Sequence, residues 1–153
     1  MGWNIRVILL KNKSVEPQVS LFLTDINTMD TNNYIDLAKT YVALSNKHNL
    51  ELIAQMFAAD TTYYSSYFGE FKGCIAINEM MTSFFSRFSD AYWNVETYRL
   101  IGDRCVEFAF IMTGTDATSG EHVERHGVEQ IHFAPDGLIS HIAVLKPEEI
   151  SET

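Results

Sequence analysis

The sequence predicts a single α+β domain, with helices laid on one face of a curved, mainly antiparallel sheet. Two observations predict it. Apolar residues recur at helical spacing in three early segments, and they alternate in four late ones. The predicted order is helix, helix, strand, helix, then four strands in a meander, and helices bunched before strands suit this class. The length, 153 residues, suits one domain with a sizeable core.

Taking the elements in order, Asp30, Thr31 and Asn32 offer N-caps for a first helix. Tyr34, Leu37, Ala38, Tyr41, Leu44 and Ser45 then form one largely apolar stripe. The helix should stop near Lys47-His48-Asn49, where Lys and His suit the negative end of its dipole. A short second helix is predicted over 50–58, burying Leu52, Ile53, Met56 and Phe57. Residues 61–68, TTYYSSYF, are rich in β-formers and read as a strand. Gly69 and Gly73 bracket a loop. The third helix is predicted over 74–88, with Ile77, Met81, Phe84, Phe85 and Phe88 on one face. That stripe of Phe and Met reads as core rather than as a cofactor box.

Residues 92–100 are expected as a strand, and Gly102-Asp103 as a turn. Over 104–115, Val106, Phe108, Phe110 and Met112 alternate with Cys105, Glu107, Ala109 and Ile111, which marks a long strand. The last two strands lie within 120–145 and flank a tight turn at Pro135-Asp136-Gly137. The acidic tail, PEEISET, is expected to fray. A domain of residues 29–148 is thus expected, with 149–153 as tail and 1–28 as an N-terminal extension, possessing two short apolar runs and no clear place in the fold.

Composition excludes several function classes. A net charge of -9 argues against nucleic-acid binding, which normally needs a basic stripe. No apolar run approaches a membrane span, and the first run lacks the length and small-residue cleavage site of a signal peptide. Cys74 and Cys105 have no ligand spacing and read as small core residues, so a cytoplasmic location is the default expectation. There is no nucleophile elbow and no phosphate-binding or dinucleotide glycine pattern, so no cofactor is expected.

The stretch 120–145 carries the oddity. Val123, Arg125, Gly127, Glu129, Ile131 and Phe133 share one strand face, apolar at both ends, with Arg125 and Glu129 in the middle. The opposite face carries His122, Glu124, His126, Gln130 and His132. The inward face is therefore the one with two ionisable groups, and buried charges are costly unless paired or set in a polar pocket. Residues four apart on a strand stand about 13 Å apart, too far for an easy Arg125–Glu129 pair. The same distance separates His122 from His126 and argues against a metal site there.

The chain resembles the NTF2-like superfamily, in particular its SnoaL-like polyketide cyclase and ketosteroid isomerase branches. The resemblance runs from Tyr34 to Lys146. It is carried by TYVALSNKHNLELIAQMFAAD, by TTYYSS, by GEFKGCIAI and by the closing VEQIHFAPDGLISHI. It implies a cone-shaped α+β fold, an enclosed apolar pocket and homodimers packed through the sheet. It does not imply one activity. In the ketosteroid isomerases a helix Tyr and a protonated Asp on the penultimate strand form an oxyanion hole; Tyr41 and Glu129 stand in those positions. The family's base is an Asp on the first strand, and Ser65 stands in its place. A serine hydroxyl is a poor proton acceptor at neutral pH unless activated.

Glu129 and Tyr41 are therefore the leading catalytic residues, to polarise or protonate a carbonyl oxygen. Structural alternatives are an ion pair for Glu129 and a backbone-bonded core role for Tyr41. His126 is the reserve base, on condition that Gly127 forms a bulge and turns it inward. Arg125 is expected either to hold an anionic substrate group at the pocket mouth or to snorkel at the sheet end. Tyr63, Ser65, Tyr67 and Ile131 complete the expected substrate-binding wall. The function expected is cofactor-independent acid–base chemistry, of isomerase, cyclase or dehydratase type, on an apolar cyclic or polyketide-like compound. The alternative is a non-catalytic ligand-binding or dimeric scaffold domain.

Overall fold

The computed structural model describes residues 31–150; the expected extension at 1–28 lies outside them. Three helices and seven strands form the described part: α1 Thr31–Asn46, α2 Leu50–Gln55, β1 Phe57–Ser65, β2 Gly69–Lys72, α3 Cys74–Arg87, β3 Tyr92–Asn94, β4 Arg99–Ile101, β5 Cys105–Thr115, β6 His122–Phe133 and β7 Ile139–Leu145. One sheet runs β2-β1-β7-β6-β5-β3, with β4 also on β5. Every pair is antiparallel except β1 with β7. No described helix is long and apolar enough to cross a membrane.

α1 ends where expected. His48 adopts a left-handed conformation (φ 55°), which lets its own N–H and that of Asn49 reach back to the carbonyls of Ser45 and Leu44. Asn49 then N-caps α2, accepting from the Leu52 N–H at 3.1 Å. α2 is shorter than predicted. Tertiary pairing takes over at Met56, whose carbonyl accepts from the Ile139 N–H at 2.8 Å, and Phe57 already belongs to β1 opposite Ile139. Ile53 and Phe57 are buried as expected, Met56 is half-buried, and Leu52 is 42 % exposed.

Three further corrections concern the sheet. β1 begins four residues early and stops at Ser65, so Tyr67 and Phe68 lie in a turn. The segment expected as a loop between Gly69 and Gly73 is strand β2, paired with Thr62 to Ser65. The strand expected over 92–100 is split into β3 and β4, both on β5; between them, residues 95–98 stand opposite only 108–110, so one extra residue bulges out. Pro147–Glu149, expected as fraying tail, form a 3-10 turn, and Glu149 accepts a hydrogen bond from Ser66 at 2.7 Å.

The inner face of the sheet is the alternating set read from the sequence. Val106, Phe108, Phe110 and Met112 of β5 are buried, as are Ile131 and Phe133 of β6 and Ile142 and Val144 of β7. α1 packs over β3, β4 and β5, whereas α3 packs over β1 and β2. The middle of the inner face, on β6 and β7, is left between the two helices.

Gly127 is not a bulge. The β5–β6 register runs unbroken from Cys105↔His132 to Thr115↔His122. The glycine is there because the Phe110 ring of the neighbouring strand lies over it: a Cβ would stand 2.5 Å from Phe110 Cζ and 3.1 Å from the Leu145 carbonyl oxygen. Gly127→Ala is therefore expected to destabilise the domain by about 1–3 kcal/mol through overpacking. Urea unfolding of the variant beside the parent measures it; equal midpoints would show that Phe110 is free to give way.

Candidate functional site

A cross-strand row organises the site. Phe108, Glu129, Val144 and Ser65 are successive partners on β5, β6, β7 and β1. Their side chains share the inner face. Two strand spacings, roughly 10 Å at about 4.8 Å each, separate Glu129 from Ser65. Glu129 is only 5 % exposed. Among the described residues its carboxyl has no hydrogen-bond partner and no ion pair; the three ion pairs there are Arg87–Asp116, Arg99–Glu107 and His126–Glu124.

Burial of an unpaired carboxyl penalises its charged form. It pushes Glu129 up to about 8, so the acid is mostly protonated at neutral pH. Three phenols sense it. Tyr41 and Tyr63 are raised well above the usual tyrosine range, by burial first and by the Glu129 charge second. Tyr98 is pushed up to about 12 by the same two causes. Tyr63 is partly exposed as a residue, yet its hydroxyl end is enclosed. The Ser45 hydroxyl offers Tyr41 a side-chain hydrogen bond that partly offsets its upward shift, whereas the Tyr63 hydroxyl has no hydrogen-bond partner among the described residues.

A cavity opens above this row, with about 700 Å³ of non-atom space when the open solvent at its mouth is included. α1 supplies Tyr41, Val42 and Ser45, and α3 supplies Met80, Met81, Phe84 and Phe85. Tyr63, Ser65, Tyr67 and Phe68 come from the end of β1 and its turn, Trp93 from β3, and Phe110, Met112, Arg125, Glu129 and Val144 from the central sheet. Local contacts hold these walls. The Asn46 amide makes two hydrogen bonds to the Trp93 backbone, at 2.7 and 3.0 Å, and the Trp93 ring packs on Phe84 and Phe85. Phe85 also stacks on His48, whose Nε2 bonds the Ala91 carbonyl at 2.9 Å.

A SnoaL-like domain family model matches residues 38–142. The chain belongs to the SnoaL-like domain family. Solved structures share its fold at low identity. SalBIII, an epoxide hydrolase/cyclase-like enzyme of pyran ring formation in the polyether salinomycin, is 18 % identical over 76 % of this chain and 92 % of its own, with a TM-score of 0.69. A candidate SnoaL-like polyketide cyclase from Jannaschia sp. CCS1 is 13 % identical over 78 % and 88 %, with a TM-score of 0.68. A protein of ketosteroid isomerase-like fold from Catenulispora acidiphila, in complex with trimethylamine, is 15 % identical over 71 % and 82 %, with a TM-score of 0.64. No curated protein matches the chain.

Within this SnoaL-like domain, Tyr41, Tyr63, Ser65, Tyr67, Arg125 and Glu129 converge on the one cavity. Two expected residues do not. His126 stays on the outer face, because the register through Gly127 is unbroken, and its Nε2 meets Glu124 Oε2 at 2.9 Å. Ile131 shares the Glu129 face but lies beneath the cavity, fully buried between Val106 and Ile142. Ser65 reaches the cavity with its hydroxyl engaged: it accepts from the backbone N–H groups of Tyr67 and Phe68 at 3.0 and 3.2 Å. Tyr67 likewise uses its hydroxyl, donating to the His126 carbonyl at 2.9 Å. Among the described residues Arg125 forms no ion pair, and it stacks on Tyr67, with 4.7 Å to the ring centroid.

Sequence reasoning missed Trp93, Tyr98 and the cavity role of the α3 stripe. The stripe was legible as apolar, but a wall and a core share that pattern. Tyr98 is brought near Glu129 through the ring of Phe108, 4.9 Å away, and only the bulge before β4 decides this. Among the described residues no group of three or more His, Cys, Asp or Glu side chains is placed to hold a metal ion.

The raised acid makes stability depend on pH. Between the ordinary value of 4.5 and about 8, the folded chain holds a proton on Glu129 that the unfolded chain has lost. The stabilisation is therefore complete below 4.5, declines as pH rises, and is gone above 8. At about 1.4 kcal/mol per pKa unit the full swing is on the order of 5 kcal/mol. Glu129→Gln should abolish this component and make the variant the more stable protein at pH 9. Urea titrations of both proteins at pH 5 and pH 9 test it; parallel changes in the two would mean that Glu129 ionises normally.

Proposed function

We propose that the SnoaL-like domain is a cofactor-independent acid–base enzyme acting on an apolar cyclic or polyketide-like carbonyl compound. The observation that carries this reading is one buried carboxyl, unpaired among the described residues, at the floor of an apolar cavity, with two buried phenols beside it. A neutral carboxyl can donate a hydrogen bond that a carboxylate cannot. Glu129 would donate to the substrate carbonyl oxygen, with the Tyr41 and Tyr63 hydroxyls as further donors. Donors fixed in a water-poor site stabilise the negative charge that grows on that oxygen as a proton leaves the adjacent carbon. Among the described residues the cavity wall offers no second carboxylate to take this proton, so the acceptor is water or a basic group of the substrate itself. Acid-assisted steps, such as loss of a hydroxyl or closure of a ring onto a carbonyl, place the least demand on such an acceptor.

A second reading, a ligand-binding domain without catalysis, is favoured by Ser65. Its hydroxyl serves the backbone of the turn, and nothing on that wall replaces the family's carboxylate base. The proposal also includes a homodimer packed through the outer face of the sheet, supported by the exposed apolar side chains of Tyr92 and Ile111.

A thermal-shift screen against aromatic, steroid and polyketide-like ketones supplies the compound to test, since a ligand at 100 times its Kd raises stability by about 2.7 kcal/mol. With a hit in hand, Glu129→Gln should cut turnover at least about 100-fold, within the usual range for a general acid. Tyr41→Phe and Tyr63→Phe should each cost about 10-fold or more, as single donors do. Turnover in the parent should fall above pH 8 with a single ionisation, as Glu129 loses its proton. Binding without turnover in the parent protein would move the assignment to the ligand-binding reading.

A further inference from the structure

The cavity wall has a charge that the acid–base reading leaves unused. Its ionisable groups are Tyr41, Tyr63, Tyr67, Arg125 and Glu129. The three phenols are raised and neutral at pH 7, and Glu129 is mostly protonated there. Arg125 is thus the full charge of the wall, in a chain whose net charge is -9.

Arg125 is also held by aromatic rings, with no anion paired to it among the described residues. Its guanidinium lies over the rings of Tyr67, Phe68 and Phe88, at 4.7, 5.7 and 5.9 Å to their centroids. Stacking uses the flat face of the group and leaves the N–H edge in the plane for an oxyanion. Among the described residues no carbonyl or carboxylate accepts from that edge. Its cationic neighbour Arg87 is already neutralised by Asp116 at 2.7 Å, and Lys146 stands over the Tyr67 ring at 5.5 Å. Glu148 and Glu149 lie near Tyr67 without reaching Arg125, and Glu149 is engaged by Ser66. Half-burying a guanidinium with its donors unused carries a desolvation cost, which shows as a lowered Arg125 pKa.

We infer that the cavity takes an organic monoanion, a flat hydrophobic acid whose carboxylate pairs with Arg125 while its carbonyl lies at Glu129. This rests on the proposed function for the carbonyl end only; the anionic end stands on Arg125 alone. Arg125 and Glu129 are four residues apart on β6, about 13 Å at ~3.3 Å per residue. A ligand that reaches both groups needs a rigid spacer between its polar ends; a bicyclic aromatic skeleton supplies one, and the Met and aromatic side chains of α3 give it an apolar wall.

The test uses 6-acetyl-2-naphthoic acid and its methyl ester, which share shape and carbonyl and differ in charge. Affinities at pH 7 are measured by titration calorimetry for the parent, Arg125→Met and Arg125→Lys. The acid should bind the parent at least 10-fold tighter than the ester. Arg125→Met should erase the preference while leaving ester affinity within about 2-fold, which also shows that the cavity is intact. Arg125→Lys should keep part of it, since the charge remains but the two-pronged geometry is lost. Equal binding of acid and ester to the parent, a preference that survives in Arg125→Met, or no binding of either probe would each overturn the inference. Failure of the acid–base reading looks different: Glu129→Gln would leave turnover unchanged while the acid preference persisted in the parent.

Discussion

A carboxyl buried without a partner, halfway along an apolar strand face, is the constraint to which the rest of this inner face answers. Glu129 sits between Phe108 and Val144 in the cross-strand row, where no described cation pairs with it. Water cannot solvate the carboxylate well and no described side chain replaces the water, so the proton is retained. The free energy lost there has to come from the surrounding apolar burial. That explains why the same face is otherwise closed by Val106, Phe110, Met112, Ile131 and Ile142.

The two ends of the cavity are built on different principles. At Glu129 the charge is removed by desolvation, and the neighbouring phenols add neutral donors. At Arg125 the charge is kept, because a guanidinium loses its proton far less readily and can rest on aromatic faces. Both groups lie on β6, a strand with β5 on one side and β7 on the other, so their spacing is set by a rigid, doubly paired element rather than by a loop. The helices contribute the apolar walls. α1 is fixed at its end by the left-handed His48 and by the Asn46–Trp93 backbone pairing, and α3 brings its aromatic stripe against Trp93.

Much of this was legible in the sequence, for identifiable reasons. The period of two along 122–133 placed Arg125 and Glu129 inward, since in a half-buried strand one slip would reverse every side chain. The helical stripes of α1 and α3 were legible because only one face of each is covered. The errors came where a distant partner overrules a local preference. Met56 and Phe57 continue a helical pattern, but β7 captures them into the sheet. The GEFK segment has glycine at one end and little apolar content, and it becomes a strand because β1 offers it an unpaired edge. The sequence left open whether Gly127 marks a bulge; its cause is the Phe110 ring, seventeen residues back along the chain.

The sequence by itself determined the class of fold, the family and the face on which the two ionisable groups stand, because periodicity and motif are local properties of the chain. Only the tertiary structure decided which hydroxyls are free and which are taken. Tyr63 resembles Tyr67 in the sequence, yet Tyr67 donates to the His126 carbonyl, while the Tyr63 hydroxyl faces the cavity with no partner among the described residues. Ser65 faces the cavity with its oxygen committed to a turn. The state of Glu129 was likewise a tertiary matter. Protonation depends on what surrounds a group in three dimensions, and here β5, β7 and α1 supply surroundings that neither solvate nor pair the charge.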